Sequence, residues 1–265
     1  MDHAAASWAR LQALRQGAPL VHNITNFVAM EVVANCLLAL GASPAMVHAE
    51  EEVEDFVGVA SALVVNIGTL SPPWVSAMER AARRANEQGK PWVLDPVGCG
   101  ATPYRTRTAA RLAAMRPTVI RGNASEILAL AGATSAPTRG VDSSHEASEA
   151  FAAGSALAQE FGTVVAITGA VDHVSDGERL LRVSNGDPAM TRVTALGCAA
   201  SALVGAFLVV EPDPLQAAAS ALAIFGLAGE RAAAGAAGPG SLRVRIVDQL
   251  AALDERAVAA GVRIA

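Results

Sequence analysis

The stretch Val193-Thr194-Ala195-Leu196-Gly197-Cys198-Ala199-Ala200-Ser201-Ala202-Leu203-Val204-Gly205-Ala206-Phe207 predicts a short loop that leads directly into a buried helix. Thr194 is a suitable N-cap, and Gly197 gives a flexible backbone position just inside the helix. From Cys198 onward the side chains are small and apolar, which favours close packing on every side. The first N–H groups of such a helix lack partners within it, and together with the helix dipole they suit an anion.

Cys198 lies in the first turn of this helix, where the same field is expected to lower the pKa of its thiol. An ordinary core helix with an inert buried thiol is the alternative, because free cysteine is often buried. A cysteine or serine hydrolase is a further alternative. However, no histidine is positioned for it in the sequence, and no Gly-x-Ser-x-Gly nucleophile elbow occurs.

Composition excludes several function classes. The chain has 265 residues, of which 52% are hydrophobic and 17% charged, as in a globular protein. The net charge of −5 and the lack of a basic run argue against nucleic-acid binding. The longest apolar run, 195–210, is too short to span a membrane, and residues 1–15 lack the apolar core of a signal peptide. Three widely separated cysteines argue against disulfides or zinc and favour a cytoplasmic location.

Short apolar strands alternate with helices along the chain, which predicts a single α/β domain over residues 1–265 with a largely parallel sheet. The predicted strands cover 19–24, 44–47, 62–68, 91–95, 118–122 and 164–169, with a hairpin at 171–175 and 179–184. The predicted helices cover 7–16, 27–40, 50–59, 73–88, 104–115, 124–130, 146–161, 198–210, 215–234 and 241–259. A Gly/Pro/Ser/Thr-rich surface loop is expected from Gly132 to Ser144.

Polar residues follow the predicted parallel strands, where ligands bind in open α/β sheets. They are Asn23, Asn26, Asn66, Asp95, Arg121, Asn123, Glu126, Thr168 and the loop 194–198. Each has a structural alternative, because Asp95 could shape a turn, Asn123 could cap a helix and Arg121 could form an ion pair. Together they make a functional site the favoured interpretation.

The chemistry that suits these residues is phosphoryl transfer, which needs alignment and charge stabilisation more than covalent help. Arg121 can neutralise phosphate oxygens, and Asp95 and Glu126 are hard oxygen ligands suited to Mg²⁺, in part through water. Backbone N–H groups of the loop 193–198 would stabilise developing charge. The sequence lacks a P-loop, so a different nucleotide fold is implied.

Several motifs together resemble one kinase family. Asn123-Ala124-Ser125-Glu126 matches the Asn-x-x-Glu motif of ribokinase-like kinases, and 194–198 resembles their anion-hole motif, with Cys198 where most relatives have Asp. The other matching stretches are His22-Asn23-Ile24-Thr25-Asn26, Gly41-Ala42-Ser43-Pro44-Ala45-Met46, Asn66-Ile67-Gly68-Thr69-Leu70, Asp95-Pro96-Val97-Gly98, Arg121-Gly122-Asn123 and Gly238-Pro239-Gly240-Ser241. In this order they resemble the hydroxyethylthiazole kinases, over most of the chain.

The resemblance implies a ribokinase-like fold, with a largely parallel central sheet flanked by helices on both faces. The implied reaction moves the γ-phosphate of ATP to the hydroxyethyl group of 4-methyl-5-(2-hydroxyethyl)thiazole in thiamine salvage, with Mg²⁺. It also implies a homotrimer with thiazole sites between subunits.

The resemblance assigns roles to particular residues as well. Met46, Asn26 and the backbone at Ala195 would contact the thiazole. Arg121, Thr168 and Asn123 would bind ATP, and Asp95 and Glu126 would organise the metal. Cys198 would lie beside the attacking hydroxyl, next to the anion hole at Gly197.

Two residues depart from the family pattern. Ala195 stands where the family usually has Gly, and Leu196 is bulkier than the usual residue and is expected to narrow the pocket. If position 195 requires a positive φ, alanine is strained there by roughly 1 kcal/mol or more. Two further functions therefore remain open, a kinase for another small heterocyclic alcohol and a catalytically impaired thiazole- or nucleotide-binding protein.

Overall fold

A computed structural model of the chain describes residues 2–134 and 146–265. Most of the predicted surface loop from Gly132 to Ser144 lies outside the described residues. The strands are β1 (Leu20–Ile24), β2 (Ser43–Met46), β3 (Ala62–Asn66), β4 (Trp92–Asp95), β5 (Val119–Asn123), β6 (Val164–Thr168), β7 (Asp172–Ser175) and β8 (Leu180–Val183). The α-helices are α1 (His3–Gly17), α2 (Met30–Leu40), α3 (Val53–Val59), α4 (Pro72–Glu87), α5 (Pro103–Ala113), α6 (Ala124–Thr134), α7 (Glu146–Phe161), α8 (Leu196–Phe207), α9 (Pro214–Ala233), α10 (Pro239–Ala252) and α11 (Glu255–Gly261).

The strands form one eight-stranded sheet in the order β2-β1-β3-β4-β5-β6-β7-β8. Strands β1 to β6 are parallel, and β7 and β8 continue the sheet as the predicted antiparallel hairpin. All five residues of β3 are buried, as expected for a strand that is covered on both faces. The predicted α/β fold with a largely parallel sheet is therefore confirmed.

Two hydrophobic cores lie on the two faces of this sheet. One core contains side chains of α1, α2, α8, α9 and α10, and the other contains side chains of α3 to α7. Helix α8 belongs to the first core and is buried along most of its length. A Cβ added to its Gly205 would lie 2.6 Å from Val64 Cγ2 of β3, so the helix packs directly on the sheet.

Three sequence expectations about helix ends are wrong. Thr194 is not the N-cap of α8; that position is Ala195, in a left-handed conformation with no side-chain hydrogen bond. The helix expected from Phe27 begins at Met30, because Asn26 closes a turn by accepting from Ala29 N. The helix expected over 241–259 is divided into α10 and α11, since Leu253 is extended and Asp254 caps a new helix.

Among the described residues, no helix is both long enough and apolar enough to cross a bilayer.

Candidate active site

The carboxyl ends of β1, β3, β4, β5 and β6 lie along one edge of the sheet, because these strands are parallel. The polar residues predicted at the strand ends are therefore brought to this edge. Cys198, in the first turn of α8, is in hydrogen-bond contact with one of them. The arrangement joins a row of polar side chains to a half-buried helix N-terminus, which suits an anionic ligand.

Asp95, the last residue of β4, carries two hydrogen bonds on one carboxylate oxygen. Asn66 Nδ2 donates to Asp95 Oδ2 at 2.7 Å, and Ser201 Oγ donates to the same oxygen at 2.8 Å. The other oxygen, Oδ1, is buried and has no hydrogen-bond partner. Burial raises the pKa of Asp95 to about 6, with Arg121 the main opposing influence. The carboxylate thus has one fixed oxygen and one that is available to a cation.

Asn26 links this carboxylate to Cys198. Asn26 Nδ2 donates to Asn66 Oδ1 at 2.9 Å and to Cys198 Sγ at 3.3 Å. A Cβ on Gly68 would come within 2.5 Å of Asn26 Nδ2, so glycine is required there for this close approach. The chain of contacts from Cys198 to Asp95 places both side chains in one polar cluster.

The thiol of Cys198 differs from the expectation. Burial raises its pKa to about 11, with the negative charge of Asp95 adding to the effect, while hydrogen bonds from Asn26 and Asn66 and the charge of Arg121 act in the opposite direction. The predicted lowering by the helix N-terminus is wrong, because desolvation in this setting is the larger effect. Cys198 is therefore a neutral thiol at pH 7.

Arg121 extends from β5 towards the start of α8. Its Nη2 donates to Thr168 Oγ1 at 2.7 Å. A Cβ added to Gly197 would lie 2.9 Å from Arg121 Nη1, so the guanidinium lies directly against the backbone of the helix N-terminus. Arg121 Nε is buried without a partner. The guanidinium and the helix N-terminus form one positively polarised surface, which suits phosphate oxygens.

Glu126 and Asn123 form the turn between β5 and α6. Asn123 Oδ1 accepts from Glu126 N at 2.9 Å, which is the capping role considered as the structural alternative. Glu126 Oε2 accepts from Asn123 N and Oε1 accepts from Gly98 N, each at 2.9 Å. Glu126 thus connects the turn at Gly98 to the end of β5. Each of its carboxylate oxygens keeps a lone pair for a water or an ion.

A cleft of about 610 Å³ lies beside Arg121 and Thr168. Its walls are the loop between β8 and α8, the start of α8 and the facing side of α9. The lining side chains are mainly apolar and include Val193, Ala195, Leu196, Ala200, Leu222 and Phe225. A mainly apolar cleft that ends at an arginine and a helix N-terminus suits a nucleoside phosphate.

Asp172 is the buried carboxyl group of this cleft. Its Oδ1 accepts from Gly169 N at 3.0 Å. Burial raises the pKa of Asp172 to about 6, with the Gly169 hydrogen bond and the charge of Arg121 acting in the opposite direction.

Ala195 has φ 68° and ψ −1°, the conformation that favours glycine. The strain anticipated for alanine at this position is thus present. Leu196 is buried and lines the cleft beside Arg121. Its bulk therefore contributes to the wall of this cleft.

Met46 ends the edge strand β2 and pairs in register with Asn23 of β1. It lies at the same carboxyl edge as Asn26, and β2 is separated from β6, the strand of Thr168, by β1, β3, β4 and β5. The predicted site residues are thus spread along the carboxyl edge, with Met46 at one end, the Cys198–Asp95 cluster in the middle and Arg121 with Thr168 at the other end.

Sequence reasoning missed Ser201 and Asp172. Ser201 stands four residues after Gly197, which puts both on one face of the helix and could have identified it. Asp172 follows the end of β6 by four residues, at the start of the hairpin, and no local motif marks it.

The carboxylates of the site fit Mg²⁺. The unpaired buried oxygen of Asp95 is a hard ligand, and Glu126 retains lone pairs. Within the described residues, no three His, Cys, Asp or Glu side chains are grouped to hold a metal. Two carboxylates suit an ion that takes its other ligands from water and phosphate, as Mg²⁺ does.

Sequence comparisons point to one family. A model of the hydroxyethylthiazole kinase family matches residues 11–256. A hydroxyethylthiazole kinase from Cereibacter sphaeroides (strain KD131) is 57% identical over 254 residues, covering 96% of each chain. One from Syntrophus aciditrophicus is 54% identical over 259 residues, covering 97% of this chain and 96% of that protein.

Solved structures agree with this similarity. The structure of a hydroxyethylthiazole kinase protein from Pyrococcus horikoshii OT3 matches with a TM-score of 0.91 and 45% identity, covering 98% of each chain. A pyridoxal kinase from Staphylococcus aureus matches with a TM-score of 0.63 and 18% identity, covering 81% of this chain and 88% of that chain. The second match concerns the fold alone, which is ribokinase-like.

Proposed function

The chain belongs to the hydroxyethylthiazole kinase family, and from that membership we propose how its residues carry the reaction. The activity is phosphorylation of the hydroxyethyl group of 4-methyl-5-(2-hydroxyethyl)thiazole, with ATP as co-substrate. This reaction fits a role in thiamine salvage.

ATP occupies the cleft beside Arg121. The apolar walls would cover the base, and Arg121 with the N–H groups at Gly197 would hold the terminal phosphates. Thr168 would hold Arg121 in place through their 2.7 Å hydrogen bond and add a hydroxyl beside the phosphates. Asn123 would act mainly through the turn that it caps. The contact between Arg121 and the start of α8 is the observation that carries this assignment.

The thiazole binds next to Met46 and Asn26 and reaches the backbone at Ala195, where its site meets the ATP cleft. Its hydroxyl would then lie beside Cys198. The hydroxyl oxygen attacks the γ-phosphorus, the bond from that phosphorus to the bridging oxygen of ADP breaks, and the hydroxyl proton is released to water. Cys198 is not the base, because burial holds its pKa near 11. A loose transition state has little need of one.

Asp95 and Glu126 would hold Mg²⁺, Asp95 through its unpaired Oδ1 and Glu126 through water. The ion neutralises part of the phosphate charge when it is bound. Asn66 and Ser201 would keep Asp95 oriented by holding its other oxygen.

The assembly is a homotrimer that completes the thiazole site between subunits. The support is a set of exposed apolar side chains just before α2 and on the outer surfaces of α2 and α10. They are Phe27 (65% exposed), Val28 (64%), Leu38 (60%) and Val244 (63%). Helices α2 and α10 pack against each other, and large apolar side chains exposed on neighbouring elements mark interfaces.

Light scattering on Val28→Asp tests the trimer, with Val59→Asp as the matched control. Val59 is 69% exposed, close to the 64% of Val28, but lies at the end of α3. We expect a trimer for the wild type and for Val59→Asp, and smaller species with a raised KM for the thiazole for Val28→Asp. A wild-type monomer with full activity would contradict the proposal.

We also propose that residues 1–265 form a single domain located in the cytoplasm. All named strands of the described residues lie in one sheet, which supports a single domain. The three free cysteines support a reducing compartment.

A substrate panel at several Mg²⁺ concentrations tests the site assignments. We expect the thiazole alcohol to exceed pyridoxal-type and pyrimidine alcohols in kcat/KM. We expect Asp95→Asn and Glu126→Gln to raise the Mg²⁺ concentration needed for half-maximal rate. A faster reaction with another alcohol favours the alternative kinase, and melting shifts with ligands but no turnover favour the impaired binding protein.

A further inference from the structure

The cleft loop, residues 184–187, forms one wall of the nucleotide cleft. Asn185, Gly186 and Asp187 line the cleft, and the loop has no regular secondary structure. A Cβ on Gly226 of α9 would come within 2.6 Å of the carbonyl carbon of Asn185, so the loop lies directly on that helix. The position of this wall therefore depends on the contacts that hold the loop.

Glu230 of α9 makes the first set of these contacts. Its Oε1 accepts from Gly186 N at 2.7 Å and from Asn185 Nδ2 at 3.3 Å. Hydrogen bonds to an ionised carboxylate are stronger than those between neutral groups. One carboxylate thus holds both the backbone and a side chain of the loop.

Arg263 makes the second set of contacts. Its Nη2 donates to Ser184 O at 2.7 Å and to Glu230 Oε1 at 2.5 Å. Its backbone N–H donates to Asn185 Oδ1 at 2.7 Å, and Asn185 Nδ2 donates to Gly261 O at 2.8 Å. Both the oxygen and the nitrogen of the Asn185 amide therefore take part in holding the loop.

The segment that carries Arg263 is itself anchored to the sheet. Arg182 and Ala265 exchange backbone hydrogen bonds of 2.8 and 2.9 Å, and Ser184 N donates to Arg263 O at 3.0 Å. Val183 and Ile264 form an antiparallel bridge. Residues 262–265 thus extend the sheet edge beside β8 and present Arg263 to the cleft loop.

We propose that Arg263 and Glu230 are positioning residues for ATP, which hold the cleft loop against the nucleotide without touching it. The inference rests on the assignment of this cleft to ATP. Both residues contact the cleft loop, and neither is hydrogen-bonded to Met46 or Asn26. Their loss should therefore weaken the binding of ATP and leave the binding of the thiazole unchanged. A loop released from these contacts must be ordered when ATP binds, which weakens binding.

Steady-state kinetics and calorimetric ATP titrations on Arg263→Ala test the proposal, with Arg256→Ala as the matched control. Arg256 is an exposed arginine of the neighbouring helix α11, so both substitutions remove the same charge from adjacent elements. We expect Arg263→Ala to raise the KM and the Kd for ATP about three- to tenfold, with the KM for the thiazole and the kcat near wild type. Glu230→Gln should shift the ATP constants in the same direction, and Arg263→Lys should recover part of the affinity.

A purely structural role would lower kcat through loss of folded enzyme and leave both KM values unchanged. That outcome, or equal constants for Arg263→Ala and Arg256→Ala, overturns the proposal. Arg121→Ala, titrated in parallel, separates this failure from failure of the proposed site. If Arg121→Ala binds ATP as wild type does, ATP does not occupy this cleft. If only Arg121→Ala loses affinity, the cleft assignment stands and the positioning role is wrong.

Discussion

Arg121 Nη1 lies so close to the backbone of Gly197 that a Cβ at Gly197 would come within 2.9 Å of it. The contact joins a side chain of β5 to the N-terminus of α8. A side chain at 197 would displace the Arg121 guanidinium, although the backbone there is helical. The two residues together form the phosphate-binding surface of the proposed site.

Gly197→Ala tests this contact. Alanine favours a helix over glycine by about 1 kcal/mol, so the free energy of unfolding should not fall. The displaced guanidinium should nevertheless reduce kcat/KM for ATP about tenfold or more. Gly17→Ala, at the end of α1 where an added Cβ meets nothing within 4 Å, is the control and should keep full activity. A fully active Gly197→Ala enzyme would show that the position of Arg121 is not critical.

The neutral thiol of Cys198 leads to a pH prediction. Because its pKa is raised to about 11, kcat should show no inflection from this group between pH 6 and 9. Cys198→Asp should keep activity within about tenfold of wild type, since a loose transition state does not depend on the thiol as a base. The pH–rate profiles of both enzymes provide the measurement. An inflection near pH 8.5 that disappears in Cys198→Ser, or an inactive but folded Asp variant, would give the thiol a role in catalysis.

Backbone strain at Ala195 can be measured as stability. Its φ of 68° disfavours alanine, so Ala195→Gly should raise the free energy of unfolding by up to about 1 kcal/mol. Ala18, with φ 41° in an exposed position after α1, is the matched control, and Ala18→Gly should gain stability in the same way. Chemical denaturation checks both variants. We expect the kinetic constants of Ala195→Gly to stay within about threefold of wild type; a tenfold rise in kcat would identify Ala195 as an impairing residue.

Asp172 should make stability depend on pH. Its folded pKa is about 6, against 3.8 for the ordinary carboxyl, so between these values the folded state binds more protons than the unfolded state. Its contribution to stability therefore falls as pH rises from about 4 to 6. Asp172→Asn keeps an oxygen that can accept from Gly169 N. Its free energy of unfolding relative to wild type should therefore rise as pH increases through this window, by at most about 3 kcal/mol at pH 7.

Denaturation of Asp172→Asn at pH 4.5 and pH 7.5 is the measurement. Asp248→Asn, at an exposed position of α10, removes the same charge from the surface and serves as the control. A difference between Asp172→Asn and wild type that is the same at both pH values would contradict the raised pKa.

Strand positions could be predicted from the sequence because buried parallel strands leave continuous apolar runs. Ala62–Asn66 and Val164–Thr168 are examples. Asp176-Gly177, between the two short strands of the hairpin, is a typical turn sequence. The polar residues at the strand ends followed from the parallel topology. Hence Asp95, Arg121 and Thr168 could be expected at one edge of the sheet before the fold was known.

Helix ends and ionisation could not be predicted in the same way. Thr194 has the chemistry of an N-cap, but the chain turns at Ala195 in a conformation that local propensity disfavours. The pKa of Cys198 depends on whether desolvation outweighs the field of the helix N-terminus, and the sequence does not give that balance. The break before Asp254 did leave a local signal, since aspartate at this position is a good N-cap.

We propose above all that the row from Met46 through Asp95 to Arg121 transfers phosphate to a thiazole alcohol. Phosphorus NMR of the purified protein with ATP, Mg²⁺ and 4-methyl-5-(2-hydroxyethyl)thiazole measures this most directly. We predict that ADP and the thiazole phosphate monoester form in equal amounts, and that Arg121→Ala lowers kcat/KM about 100-fold or more while remaining folded. Absence of the phosphate monoester with the folded wild-type enzyme, or unchanged turnover in Arg121→Ala, would contradict the claim.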